Sequence, residues 1–595
     1  MRRSQVTTNQ LSRTLGLGFA ITVGTLGCAA NGGVTGNPSE ATGATGGITS
    51  SVSNTGGATN NAQVGGSGVV TGGTSAVVQT GGTSSAAGAG GASPTGGSVS
   101  TGGSKSTGGS ASTGGKSSSG GASSTGGKSG TSTGGKATTG GAPATGGSNA
   151  TGGSSATGGS SAAQNTNCSI TVKNASYSTA IGTVGIVTWS TTLASVSEAQ
   201  IDFGVDTNYG MTAPVDLTAT DYRTVLLGMK QNHDPYHYRI TAKSGSTTCT
   251  GTDQVFSGKT ATKPNNLKAP TITTNNKSAL YGGFLVLEGY RLNSGGGDYA
   301  FILDADGEFV WWYQPNGYGS LSVAKMTYDG KSIWIANDNV PKATTHVGKL
   351  TIDGVTFTDY STQFQNFNHD LAVLPDESVA FIAYGSNGCD DVKLRKTDGT
   401  VSTLINSGKP FGNATACHCN AIQYDPSDQT VIVSEDDHSG YFKVDLQGTL
   451  KWVLNGGTYN SFDKSGGGAT GWAGNHNLHV IGKDHLIIFN NGVSAGAGGI
   501  PSGSGTAVIR ELTLNTTAMT TTENWNYDAK ISNPVMGDVQ RLENGNTVIV
   551  FSTAGTIHEV NSSKTLLQSF VWSGLSSAGT GYFHKRKSLY GAPPR

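Results

Sequence analysis

From residue 268 to the C-terminus, short apolar runs alternate with polar turns at a steady interval. A turn built on Asp and Gly, followed by an apolar strand, appears as "DADGEFVWW" (304–312), "TIDGVTF" (351–357), "KTDGTVSTL" (396–404) and "VDLQGTLKWVL" (444–454). Its glycines, Gly307, Gly354, Gly399 and Gly448, lie 47, 45 and 49 residues apart. Weaker copies follow at "LNTTAMTTTENW" (514–525) and "NSSKTLLQSFVW" (561–572). Interleaved with them is a second hairpin signal: "YGGFLVL", "YDGKSIWIA", "LPDESVAFIA", "DPSDQTVIVS", "IGKDHLIIF" and "ENGNTVIVF". A period near 47 with several short strands per unit and no helical stretch predicts an all-β, six-bladed β-propeller over 268–595.

Residues 167–262 read differently. "IGTVGIVTWSTT", "EAQIDFGVD" and "YRTVLLGMKQNHDPYHYRITAKSG" are strand-forming runs separated by polar turns. With Trp189 in "VTWST" and Pro235, Tyr236 and Tyr238 in "HDPYHYRI", the segment resembles a fibronectin type III β-sandwich. Spacing or docking is its expected role, with His233 and His237 on a turn and a strand surface.

Before residue 167 the pattern vanishes. Residues 28–166 are Thr-Gly-Gly, Ser and Ala repeats almost free of aromatics, so a disordered tether is expected, with an r.m.s. reach of about 60–70 Å. Arg2 and Arg3 precede the apolar stretch Leu15–Leu26, which is too short to span a bilayer, so 1–27 reads as an export signal. Thr25-Leu26-Gly27-Cys28 resembles the bacterial lipobox, with Thr25 departing from the usual Leu; it implies lipidation at Cys28 and anchoring to the cell envelope. No other segment is apolar enough to cross a membrane.

Lys plus Arg and Asp plus Glu both number 37, so formal charge gives no reason to expect a nucleic-acid partner. Six cysteines in an exported chain are expected to pair. Cys168 and Cys249 bracket the sandwich and form the natural couple; Cys389, Cys417 and Cys419 leave one thiol over, with the pairing open.

The repeat gives the histidines a geometry. His369 lies seven residues before Asp376 of its hairpin, His476 seven before Lys483, and Asp538 seven before Gly545; His418 stands eight or nine before its own turn. Equivalent positions at the head of successive innermost strands converge on the propeller axis, so these four should line one central pocket. His479 and His485 fall outside the register and are expected at surface or inter-blade positions. Cys417-His418-Cys419 suggests zinc, but side chains on a strand alternate faces, so the two cysteines cannot join His418 on one ion. No metal is expected there, and "SEDDH" (434–438) is as readily a solvated strand end as a cation site.

"FNHDLAVLPD", "HCNAIQYDPSDQTVIVSEDDHSGYFKVDLQGTLKWVLNGG", "GNHNLHVIGKDHLIIFNNG" and "GYFHKRKSLYG" together resemble the bacterial PAPS-independent arylsulfotransferases over essentially all of 275–595. The resemblance implies sulfuryl transfer from an aryl sulfate donor to a phenolic acceptor through a sulfohistidine, without cofactor. It makes His476 the nucleophile, with His369 and His418 as the other catalytic histidines. Asn420, Asp436 and Asp538 are the candidate substrate-binding residues. Two departures stand out. The family's Ser-Ser-Arg is here Ser434-Glu435-Asp436, so a carboxyl replaces a sulfate-binding arginine, and Gln-His-Asp becomes Asn475-His476-Asn477. Lys325 or Arg541 is the candidate compensating cation. The competing reading is a non-catalytic surface binding protein on the same propeller.

Overall fold

The computed structural model describes residues 168–290, 298–337, 345–463, 472–493, 505–573 and 579–593. The expected leader, the Cys28 acylation site and the tether to residue 166 lie outside the described residues.

The first part is a two-sheet sandwich. Strands Ile170–Tyr177, Gly185–Thr191 and Thr224–Leu226 form one sheet; Met211–Pro214, Glu198–Gly204, His237–Ser244 and Thr247–Thr250 form the other, with Gln254–Val255 paired onto His237–Ser244. Alternate residues point inward, as period-two patterning requires. Val187, Trp189, Ile201, Phe203, Tyr238 and Ile240 meet in one core. A disulfide joins Cys168 to Cys249, as the bracketing positions predict.

Among the described residues, six antiparallel sheets of four or five strands follow. Their leading strands are Gly579–Arg586, Leu321–Met326, Phe367–Val373, Cys419–Asp425, Asn475–Gly482 and Asp538–Arg541. Each leading strand packs on the next, and the sixth packs on the first, which closes a ring. Two strands break chain order to close it. Gly579–Arg586, from the C-terminal end, leads the first sheet beside Phe284–Tyr290, while Thr271–Thr274 edges the sixth beside Leu566–Val571. Both ends of the ring segment are thus locked into sheets built mainly from the opposite end.

The periodic turns owe their regularity to backbone conformation. Gly307, Gly354, Gly399 and Gly448 all take φ between 74° and 88°, a region costly for residues with a Cβ. In the two weaker copies Met519 (φ 54°) and Lys564 (φ 67°) accept that conformation, which is why the signal fades there.

The sandwich docks on the ring. Ile181, Val184 and Leu227 are buried in one cluster with Val286, Ile302, Val310 and Trp311 of the ring. Thr183 Oγ1 donates to the Val310 carbonyl at 2.7 Å, and Ser178 Oγ to that of Asp353 at 2.6 Å. Tyr590 Oη accepts from the Leu227 N–H at 2.8 Å. Lys230 bridges to Asp304 (2.6 Å) and Glu308 (2.8 Å), and His233, exposed as expected, lies 3.3 Å from Glu308.

A shared core predicts shared melting. Leu227→Ala should cost about 2–5 kcal/mol and lower one cooperative transition for sandwich and ring alike. Two separate calorimetric transitions, with only the first shifted, would contradict that coupling.

Candidate active site at the ring axis

Pairing with the second strand of each sheet sets the register of the leading strands. Leu371, Ile422, Leu478 and Val539 hold equivalent places, opposite Phe381, Val433, Ile488 and Ile549. Two residues earlier stand His369, Asn420, His476 and Gly537; one residue earlier stand Asp370, Ala421, Asn477 and Asp538. At this level the pairing is interrupted between Phe367 and Leu371, Cys419 and Ala421, and Asn475 and Leu478. Such irregularities re-aim side chains next to sites.

His369 and His476 therefore share a position, as expected, whereas Asp538 does not join them. The hairpins turn on Glu377, Asp484 and Gly545, all at positive φ. Counted from those residues, Asp538 matches Asp370 and Asn477 instead. Asp538 and Asp370 act as clamps between sheets. Asp370 Oδ2 accepts from the Ile422 N–H at 3.1 Å, and Asp538 Oδ2 from the Phe583 N–H at 2.9 Å. Each also accepts from the N–H of its own following residue through Oδ1.

His418 also departs from the expected register, which Asn420 occupies. It lies just ahead of strand Cys419–Asp425, yet its ring reaches His369, Nε2 to Nε2 at 2.9 Å. Several bonds hold its segment. Its N–H donates to Glu435 Oε1 (2.9 Å), its carbonyl accepts from the Asp436 N–H (2.8 Å), and the Cys419 N–H donates to Asp390 Oδ2 (2.7 Å). Cys417 is disulfide-bonded to Cys389, which resolves the open pairing and leaves Cys419 as a buried thiol. His369 sits at φ 54°, a strained conformation for a residue with a side chain, of the kind that collects at functional sites.

His476 is buried, and its Nδ1 lies 2.8 Å from Asn491 Oδ1. The Asn491 amide donates to the Asn533 carbonyl (2.7 Å) and the Met536 carbonyl (2.8 Å), which fixes its orientation with the oxygen toward the imidazole. Nδ1 must then carry the proton, and Nε2 keeps its lone pair. Burial lowers the pKa of His476 to about 4, with His369 adding to the effect, so the ring is neutral at physiological pH.

Asp436 is buried beside this group, and its Oδ1 accepts from the Asn475 N–H at 3.1 Å. Burial, aided by Glu435 and Asp437, pushes its pKa up to about 7. The carboxyl in the arginine's place is thus largely neutral in mildly acidic solution. Neither proposed cation compensates freely. Lys325 Nζ is bound to Asp370 Oδ1 (2.7 Å) and the Leu371 carbonyl (2.9 Å). Arg541 lies at the hairpin end, bonded to Glu511, Thr547 and the Gly545 carbonyl. Asn420 Nδ2 donates to the Asn475 carbonyl at 3.2 Å, while the Asn420 carbonyl accepts from the Tyr582 hydroxyl, which joins the first and fourth sheets.

His479 is enclosed between sheets with its pKa lowered to about 4 by burial, and His485 pairs with Glu511 at 2.8 Å; both stand apart from the site. Among the described residues, Cys417, Glu435 and His438 approach metal-site spacing, but the Cys417 sulfur is consumed by its disulfide. Asn491 was missed as a site residue. Its signal was the "FNNG" after the apolar run, which the residues alone did not mark as an imidazole partner.

Solved structures similar to the chain include TolB from Acinetobacter baumannii (10% identity, 60% of this chain and 80% of that one, TM-score 0.33) and the periplasmic gluconolactonase PpgL from Pseudomonas aeruginosa (12% identity, 51% and 99%, TM-score 0.30). No curated protein matches the chain. Residues 412–578, which carry His418, Asn420, Asp436, His476 and Asp538, match the model of the arylsulfotransferase (ASST) family.

Proposed function

We propose that the six sheets are the blades of a six-bladed propeller, that the preceding sandwich is a fibronectin type III-like module, and that the axial site moves a sulfuryl group from an aryl sulfate to a phenol through a sulfohistidine at His476. The observation that carries this reading is the Asn491 contact, which leaves a neutral imidazole with an available Nε2 lone pair.

In the first half-reaction Nε2 forms a bond to sulfur, the S–O bond to the aryl group breaks, and the leaving phenolate takes a proton from the His369–His418 pair. Positive charge on the sulfated ring is stabilised by Asn491 Oδ1 at Nδ1. In the second half the acceptor phenol returns its proton to the pair, its oxygen bonds to sulfur, and the N–S bond breaks. Neither half requires a nucleotide or a metal. Asp436 supports the reaction in its neutral form, when it adds no negative charge beside the sulfate; as a carboxylate it opposes binding.

The pH profile follows with its signs. Below about 4 His476 gains a proton on Nε2 and stops being a nucleophile; above about 7 Asp436 becomes anionic and repels the donor. Transfer should be greatest between these limits, and Asp436→Asn should remove the decline on the alkaline side. A decline unaltered by Asp436→Asn would refute the role given to that carboxyl.

Two direct measurements bear on His476. Nitrogen NMR at neutral pH should show the neutral Nδ1–H tautomer, lost in Asn491→Leu. Incubation with an aryl sulfate and no acceptor should add one SO3 group, mapping to the peptide that contains His476. A label on any other residue would overturn the assignment. A chain that binds aryl sulfates but never becomes labelled would fit the binding-protein reading.

A further inference from the structure

The register of the leading strands extends around the whole ring. Ala324, opposite Ile335, and Phe583, opposite Leu287, take the place that Leu371 holds in the third sheet. The Asp538 clamp onto the Phe583 N–H repeats the Asp370 clamp onto the Ile422 N–H and confirms this alignment. The positions level with His369, Asn420 and His476 are therefore Ser322 in the second sheet, Gly537 in the sixth and Gly581 in the first. The pairing is also interrupted at this level in the second and first sheets, between Leu321 and Val323 and, opposite Gly581, between Leu287 and Gly289.

Gly581 has no side chain, yet the space for one is filled. A Cβ built there would lie 1.3 Å from Glu288 Oε1. The Glu288 carboxyl, reaching from the strand behind, thus stands where an axial side chain of the first sheet would begin. Glu288 is fully buried, and neither of its oxygens makes a well-formed hydrogen bond among the described residues, with only the backbone N–H groups of Glu288 and Tyr582 facing the carboxyl. Ser322 Oγ, on the neighbouring sheet at the same level, is likewise buried and unpartnered among the described residues. An unmet carboxyl in a folded interior is costly and calls for a reason. The ring is also narrow here, since the side chain of Tyr582 alone spans from the first sheet to the Asn420 carbonyl of the fourth.

We propose that Glu288 and Ser322 form a hydroxyl-binding subsite at the ring axis, taking the neutral hydroxyl of a phenol. This rests on the transferase reading only for naming the phenol as acceptor. A protonated carboxyl both donates and accepts, as a phenolic hydroxyl does, so the two groups are complementary. Burial, with Asp370 and Asp538 nearby, raises the pKa of the Glu288 carboxyl well above the usual carboxylate range, against the backbone N–H groups of Glu288 and Tyr582, which lower it. An anionic sulfate suits this wall poorly, because the nearby ammonium of Lys325 is already bound to Asp370.

The test is titration of the intact protein with phenol alone, read by calorimetry. Wild type should bind saturably. Glu288→Leu, of similar bulk, should weaken binding at least tenfold, as the loss of a hydrogen bond to a buried polar group does. Glu288→Gln, which still donates and accepts, should stay within about threefold. Ser322→Ala should weaken binding in the same direction and serves if Glu288→Leu does not fold. Gly581→Ala, which displaces the carboxyl, should resemble Glu288→Leu. Unchanged phenol affinity in Ser322→Ala and Gly581→Ala would overturn the proposal, as would a loss in Glu288→Gln equal to that in Glu288→Leu. Failure of the transferase reading looks different: phenol binding would keep this pattern while no sulfuryl group moved.

Discussion

Side-chain carboxyls holding the backbone of the next sheet are the constraint on which the axial site depends. Six strands meeting around one axis cannot all satisfy their N–H groups within their own sheets, because their leading edges face one another. Asp370 and Asp538 meet that demand by accepting from Ile422 and Phe583 across the sheet boundary. Gln540 does the same for both backbone groups of Lys585, at 2.7 and 3.1 Å. With these clamps in place, neighbouring strands are locked in relative height, and residues far apart in sequence arrive at one level with fixed spacing.

The chemistry of that level comes from desolvation. Burial holds His476 neutral and presses Asp436 and Asp538 toward protonation. A site crowded with carboxyls can therefore coexist with an anionic ligand as long as the carboxyls are uncharged. The same burial makes orientation decisive: Asn491, its amide pinned by two carbonyls, determines which nitrogen of His476 is free to react. Rigid supports of this kind are what the proposed displacement at sulfur would require of its nucleophile.

Much of the architecture was legible in the sequence, because it rests on local rules. Gly307, Gly354, Gly399 and Gly448 mark turns that need positive φ, and their spacing exposes the repeat. Cys168 and Cys249 could be paired because they bracket one sandwich. What escaped were long-range and one-residue effects. Asp538 was placed with the histidines because a count from the wrong residue of the hairpin shifts the register by one. His418 was assigned the position that Asn420 holds, since interrupted pairing between Cys419 and Ala421 leaves no mark in a single chain. Glu288 sits in "FLVLEGY", an ordinary strand, and gains meaning only when Gly581 arrives beside it from nearly three hundred residues away.

The central claim is that His476 carries the group that is transferred. Release of a coloured phenol from a chromogenic aryl sulfate, followed with and without a second phenol as acceptor, tests it most directly when wild type is compared with His476→Ala. In wild type the acceptor should accelerate release, and in the variant release should disappear with the fold retained. Acceptor-stimulated release that persists in His476→Ala would contradict it, and so would a wild type inert toward every aryl sulfate donor offered.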